Sequence, residues 1–162
     1  MKNSILKNKS FLIVFASALI MSFTMFSCTK DDASLSVMFS LSGNASGSQM
    51  VPSNSSTSGT GTYSGSYNSS TKVMTYTSTW ANLTSTPIAA GIYSGASGIS
   101  GTLVAALSLG SNLPASGGSA SGSFTLNATQ ETQLFQGNMY YLFSTTSNVS
   151  GEIRGQIVAQ KQ

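Results

Sequence analysis

The sequence predicts an all-β fold: a single antiparallel β-sandwich with one short helix near residues 129–136. Three observations carry this. Apolar and polar residues alternate with period two in several stretches, so one face of each strand enters a core and the other meets water. Gly-, Ser- and Asn-rich joints separate these stretches at strand-length intervals. A single segment, Thr129–Gln136 followed by Gly137, has the form of a short helix closed by a glycine.

Taken in order, Leu35, Val37, Phe39 and Leu41 alternate with Ser36, Met38, Ser40 and Ser42 and predict a half-buried strand. Residues 43–58 read as a polar loop. Gly59–Tyr67 spaces Tyr63 and Tyr67 among small residues, and Asn68-Ser69-Ser70 is turn chemistry. Lys72–Trp80 resumes with β-branched and aromatic residues. Ile88–Tyr93 and Thr102–Leu109 follow as strands, with a second low-complexity loop over 111–122. Ser121–Leu126, Met139–Ser144 and Glu152–Ala159 complete the strands. Asn127 or Thr129 is placed to cap the helix. Phe39, Val73, Leu103, Leu107, Phe124, Leu126, Ile153 and Ile157 are the expected core; Met74, Tyr76 and Trp80 are assigned to structure rather than to a ligand platform.

The N-terminal residues predict an address. Lys2, Lys7 and Lys9 form a basic start, and Phe11 to Phe26 is an apolar run broken only by Ser17, Ser22 and Thr24. The run falls short of the roughly 18–20 residues that span a bilayer, so it is expected to be cleaved. Ser27-Cys28 follows, and Cys28 is the only cysteine. Residues 1–27 therefore read as a bacterial lipoprotein signal peptide, Cys28 as the lipidation site and 28–34 as a lipidated tether; an ordinary secretory signal with an incidental cysteine is the alternative. Acyl chains would give a firm membrane partner, because about two are needed for stable anchoring. Cys28-Thr29-Lys30-Asp31-Asp32 resembles the signal that sends some Gram-negative lipoproteins to the outer face of the outer membrane. Lys30, Asp31 and Asp32 are thus a candidate sorting signal for surface display, against a plain tether on the periplasmic face.

Beyond residue 27 the basic residues Lys30, Lys72, Arg154 and Lys161 balance Asp31, Asp32, Glu131 and Glu152, so the +3 of the whole chain belongs to the signal. No basic patch remains for nucleic acid. The chain has no histidine, which removes the usual general base, the commonest metal ligand and any Ser-His triad. No cofactor or metal is expected. Glu131 and Glu152 are the one candidate acid/base pair. The favoured reading places Glu131 on the exposed side of the helix and pairs Glu152 with Arg154 at i, i+2. The six Asn-x-Ser/Thr sequons at Asn44, Asn54, Asn68, Asn82, Asn127 and Asn148 are read as composition.

The order of motifs resembles the CHRD domain. The match begins at Leu41-Ser42-Gly43-Asn44 and Met50-Val51-Pro52, continues through Gly59-Thr60-Gly61-Thr62, Tyr67, Thr71–Thr77 and Trp80–Thr84, and ends in Gln130–Gly137, Met139-Tyr140-Tyr141 and Gly151-Glu152-Ile153-Arg154-Gly155-Gln156-Ile157. The resemblance implies an all-β sandwich of the Greek-key type seen in copper–zinc superoxide dismutases and no established catalysis. Family members often carry Ala-Ala-His-x-His-Gly where this chain has Ala89-Ala90-Gly91-Ile92-Tyr93-Ser94-Gly95, and a further histidine near Ser144; all are missing here. A divergent binding module follows as the expectation: a non-enzymatic, lipid-anchored envelope domain contacting a protein or glycan. The alternative is a glycan-binding or glycan-hydrolysing lipoprotein using Glu131, Glu152 and exposed aromatics.

Overall fold

Nine strands and one helix run through residues 36–162, the part of the chain that the computed structural model describes. Segments 1–27 and 28–34, with Cys28, Lys30, Asp31 and Asp32, and Leu35 lie outside the described residues. The strands are β1 (Met38–Ser46), β2 (Thr60–Asn68), β3 (Val73–Ala81), β4 (Pro87–Ser94), β5 (Thr102–Ala106), β6 (Gly117–Thr125), β7 (Met139–Thr145), β8 (Ile153–Gln156) and β9 (Val158–Lys161); α1 (Ala128–Phe135) sits between β6 and β7. All pairings are antiparallel. They give the order β5-β4-β7-β8-β1-β2-β3-β6, with β9 also on β1. The expected antiparallel all-β fold with one short helix is what the chain adopts.

The two layers are joined into one nearly closed, barrel-like sheet. The join is the last strand, which breaks at Ile157. Before the break β8 pairs β7 and, at Arg154 opposite Ser46, β1; after it β9 pairs β1 alone. The predicted single strand Glu152–Ala159 is therefore two strands. β3 finds β6 across residues 82–116, a long-range return of the Greek-key kind.

Local chemistry explains the elements. Asn68 Oδ1 accepts from the backbone N–H groups of Ser70 (2.9 Å) and Thr71 (3.1 Å), an Asx-turn between β2 and β3. Asn127 and Gln130 form a reciprocal capping box at the start of α1. Its end is a Schellman closure: Asn138 N–H donates to Gln133 O and Gly137 N–H to Leu134 O, with Gly137 at φ 71°. Cross-strand hydroxyl pairs such as Thr62–Thr79, Ser66–Thr75 and Thr77–Ser121 line the outer face of β2, β3 and β6 and wet it without charge.

The core is aromatic. Tyr63, Tyr67, Met74, Ile92, Tyr141, Phe143, Ile153 and Ile157 are fully buried. Tyr63 stacks against Tyr76 at 6.3 Å and lies 5.3 Å from Tyr141, while Trp80 lies 5.3 Å from Phe143. Leu107, Leu126, Ile153 and Ile157 take their expected core positions, as do Met74, Tyr76 and Trp80. Phe39, Val73 and Phe124 are only half-buried, at the margins of the sheet.

Leu103 is a correction: it is 57% exposed. The pairing of β4 with β5 runs Ile92↔Ala105 and then Tyr93↔Leu103, so Val104 bulges out. One extra residue flips the side-chain parity, and Leu103 and Leu107 point to opposite faces. The two predicted loops also shrink. Residues 43–46 belong to β1 and 117–122 to β6. Their glycines mark close approaches. A Cβ on Gly118 would enter the Trp80 ring, and one on Gly122 would meet Tyr76 Oη at 2.7 Å. The aromatic rings of β3 cover β6 where it has no side chains of its own.

Candidate functional site

Glu152 and Arg154 flank Ile153 at the entry to β8, and both are buried. They do not pair; the expected Glu152–Arg154 contact is a correction. The described residues contain one ion pair, Lys72–Glu131.

Glu152 is enclosed by hydroxyls. Its Oε1 accepts from Thr57 Oγ1 (2.6 Å) and the Thr84 backbone N–H (2.7 Å). Its Oε2 accepts from Thr84 Oγ1 and Thr145 Oγ1, each at 2.7 Å, and from Asn148 Nδ2 at 3.3 Å. Burial pushes its pKa up, but the hydrogen bonds from Thr57, Thr145 and Thr84 outweigh that and hold the carboxyl below the usual range. One carboxylate thus ties together the segment before β2, the segment after β3 and the end of β7. With no exposed surface it is out of reach of a polymer substrate.

Glu131 is corrected as well. Its side chain is only 18% exposed. Lys72 Nζ donates to both of its oxygens, at 2.9 and 2.8 Å, and Tyr67 Oη donates to Oε1 at 2.8 Å. The Lys72 hydrogen bond holds its pKa down against the opposing effect of burial. The same carboxylate and burial push the Tyr67 phenol well up. Both candidate acid/base groups are therefore committed to structural partners. Trp80, the one tryptophan, is buried and donates from Nε1 to Pro114 O at 2.9 Å, so it offers no face to a sugar.

Arg154 is different. Its guanidinium lies over the Tyr140 ring, Cζ 3.6 Å from the centroid. Nη2 donates to Ala96 O at 2.8 Å and makes a long contact of 3.5 Å with Gln156 Oε1. Nε and Nη1 have no protein acceptor among the described residues. Burial lowers the guanidinium's pKa from its ordinary value, and the neighbouring Tyr140 acts the other way. The residue remains a cation at any physiological pH.

Arg154 lines a cavity of about 170 Å³ together with Met50, Tyr93, Ser100, Tyr140 and Ser150, among others. It lies outside the main core, where side chains of β4, β7 and β8 meet Ser100 and Gly101 of the 95–101 segment and Met50 and Val51 after β1. That segment is pinned by hydrogen bonds. Gln156 Nε2 donates to Gly95 O (2.9 Å) and Gly137 O (2.7 Å), and Tyr140 Oη accepts from Gly101 N–H at 3.0 Å. Tyr93 stacks on Tyr140, 5.3 Å between centroids and 9° between planes. Met50, Tyr140 and Leu142 form a small second apolar cluster here.

Sequence reasoning offers Arg154 as a partner for Glu152 and gives Tyr93, Tyr140, Ser100 and Ser150 no role at a site. A signal was present: Met139-Tyr140-Tyr141-Leu142-Phe143 is apolar without alternation, as in a strand covered on both faces. Every residue of β7 is buried. Among the described residues no three His, Cys, Asp or Glu side chains converge as a metal site would require.

Residues 41–157 match the family model of the CHRD domain. No curated protein and no solved structure matches the chain.

Proposed function

The chain belongs to the CHRD family, and from that premise we propose that it is a non-enzymatic interaction domain, lipid-anchored in the bacterial envelope and displayed on the outer membrane. The observation that carries the binding reading is the contrast in charge. Glu131 and Glu152 are consumed by internal hydrogen bonds, while Arg154, with a single short protein acceptor, lines a cavity. General acid–base work needs a carboxyl free to exchange a proton with substrate. Recognition needs only a shaped site with a few polar groups.

The anchoring half rests on the sequence: Cys28 after a short apolar run, then Lys30-Asp31-Asp32. Loss of the family's histidines, with Gly91 and Tyr93 standing in Ala-Ala-His-x-His positions, fits a divergent member that exchanged a histidine site for another. Labelling cells with an alkyne fatty acid should mark the wild type and not Cys28→Ala. Protease added to intact cells should remove the domain; protection until lysis would put it on the inner leaflet. Turnover of any polysaccharide or ester by the purified chain would overturn the non-catalytic reading.

A further inference from the structure

We propose that the Arg154 cavity binds the carboxylate of a single acidic sugar residue, a hexuronate unit. This deepens the reading of the domain as a binding module and rests on it.

The argument starts from an uncompensated cation. A buried guanidinium is stable only when its donors and its charge are matched. Arg154 is 2% exposed, and no carboxylate reaches it among the described residues. Those residues hold only the carboxylates Glu131 and Glu152 among side chains, and both are taken: the first by Lys72 and Tyr67, the second by Thr57, Thr84, Thr145 and Asn148. Tyr140 and one carbonyl supply part of the compensation. Arg154 lines the cavity, and an anion held there would complete its match.

The anion's type follows from charge and shape. Arg154 is the one cationic side chain lining the cavity. A single positive charge matches a monoanion; a phosphate, at nearly two negative charges near neutral pH, would be left half-neutralised. Guanidinium and carboxylate are both planar and complementary in donors and acceptors.

The carrier of that carboxylate follows from the rest of the lining. At about 170 Å³ the cavity is smaller than the roughly 300–1,000 Å³ of pockets that take a drug-sized ligand, the scale of one small unit rather than a run of chain. Ser100 and Ser150 supply hydroxyls, while Tyr93, Met50 and Leu142 supply an apolar wall. A sugar ring has the same mixture, hydroxyls at its rim and C–H groups on its faces. Tyr93, half-buried and stacked on Tyr140, is the aromatic group at hand for such a face.

The test is a calorimetric and NMR titration of the full chain in detergent with methyl glucuronide. Methyl glucoside, glucose 6-phosphate and doubly blocked glutamate serve as comparison ligands. Saturable binding of the uronide is expected, weakened about tenfold or more with the neutral glucoside and in Arg154→Gln. Tyr93→Ala, at a half-buried position, should weaken it about threefold or more while the circular dichroism spectrum stays unchanged; it covers the case in which the Arg154 variant fails to fold. Equal binding of the neutral glucoside, or tighter binding of the phosphate, would overturn the proposal. Equal binding of the blocked glutamate would overturn the sugar and give the pocket to a protein carboxylate. Absence of binding to every anion would overturn the pocket while leaving the non-catalytic reading intact; glycan turnover would do the reverse.

Discussion

Glu152 and Arg154 stand two residues apart at the entry to one strand, both buried, with opposite charges and opposite solutions to burial. Glu152 is closed: hydroxyls and an amide from three segments fill its lone pairs. Arg154 is open: a tyrosine face and a carbonyl meet part of its demand, and the residue lines a cavity. The difference teaches how to sort buried charges. A charge whose partners all come from the fold is part of the fold. A charge with donors left over beside a cavity is a candidate for recognition.

The comparison would break first at Glu152. Glu152→Ala removes the common acceptor of Thr57, Thr84 and Thr145 and leaves the buried Thr145 hydroxyl and the half-buried Thr57 hydroxyl without it. It should cost about 3–5 kcal/mol of stability, read from denaturant unfolding. A loss under ~1 kcal/mol would mean that the network is ornamental and that Glu152 is free for another role.

Acid titration sharpens the same side. The folded pKa values of Glu152 and Glu131 both lie below the ordinary carboxylate value. A depressed carboxyl contributes stability that is fully present above its unfolded pKa, about 4.3, and is lost as pH falls through the folded value. Unfolding stability should therefore be flat from neutrality to about pH 5 and drop below it. Glu152→Gln, compared as a difference from wild type, should flatten that limb. A variant as acid-sensitive as the wild type would sink the assignment.

How far these charges were legible in the sequence differs by kind. The strands, the Asx-turn at Asn68 and the capped helix ending at Gly137 could be read because each depends on neighbours in the chain. Leu103 was misplaced because parity is set by the bulge at Val104, a property of the β4–β5 pairing and not of either strand alone. The glycine-rich stretch 117–122 read as a loop because its covering groups, Trp80 and Tyr76, come from another strand. Glu152 and Arg154 looked like a pair because i, i+2 residues share a strand face. Thr57, Thr84 and Thr145 captured the carboxylate, and the 95–101 segment captured the guanidinium; neither competitor is near in sequence.

On the open side the expectation reverses. Arg154→Met removes an incompletely matched buried charge and keeps an unbranched apolar stem, although it ends short of the place where the guanidinium covers Tyr140. Replacing such a charge by an apolar isostere is often neutral or stabilising. The change should lie within about 1 kcal/mol of wild type, of either sign, against the several lost at Glu152. A loss above ~3 kcal/mol would place Arg154 with the structural charges and end the contrast.

The smallest effect belongs to Lys72–Glu131, the half-exposed pair that gives the scale for both. Lys72 is 43% exposed, so solvent screens its contact with Glu131 even at 2.8 Å. Lys72→Met should cost about 0.5 kcal/mol at low ionic strength and less in 0.5 M salt. The half that survives is the hydrogen bond from Tyr67 Oη, which keeps Glu131 on the helix face. A loss comparable to that of Glu152→Ala would mean that exposure is a poor guide to the worth of a charge in this domain, and the ranking of all three sites would have to be drawn again from measurement.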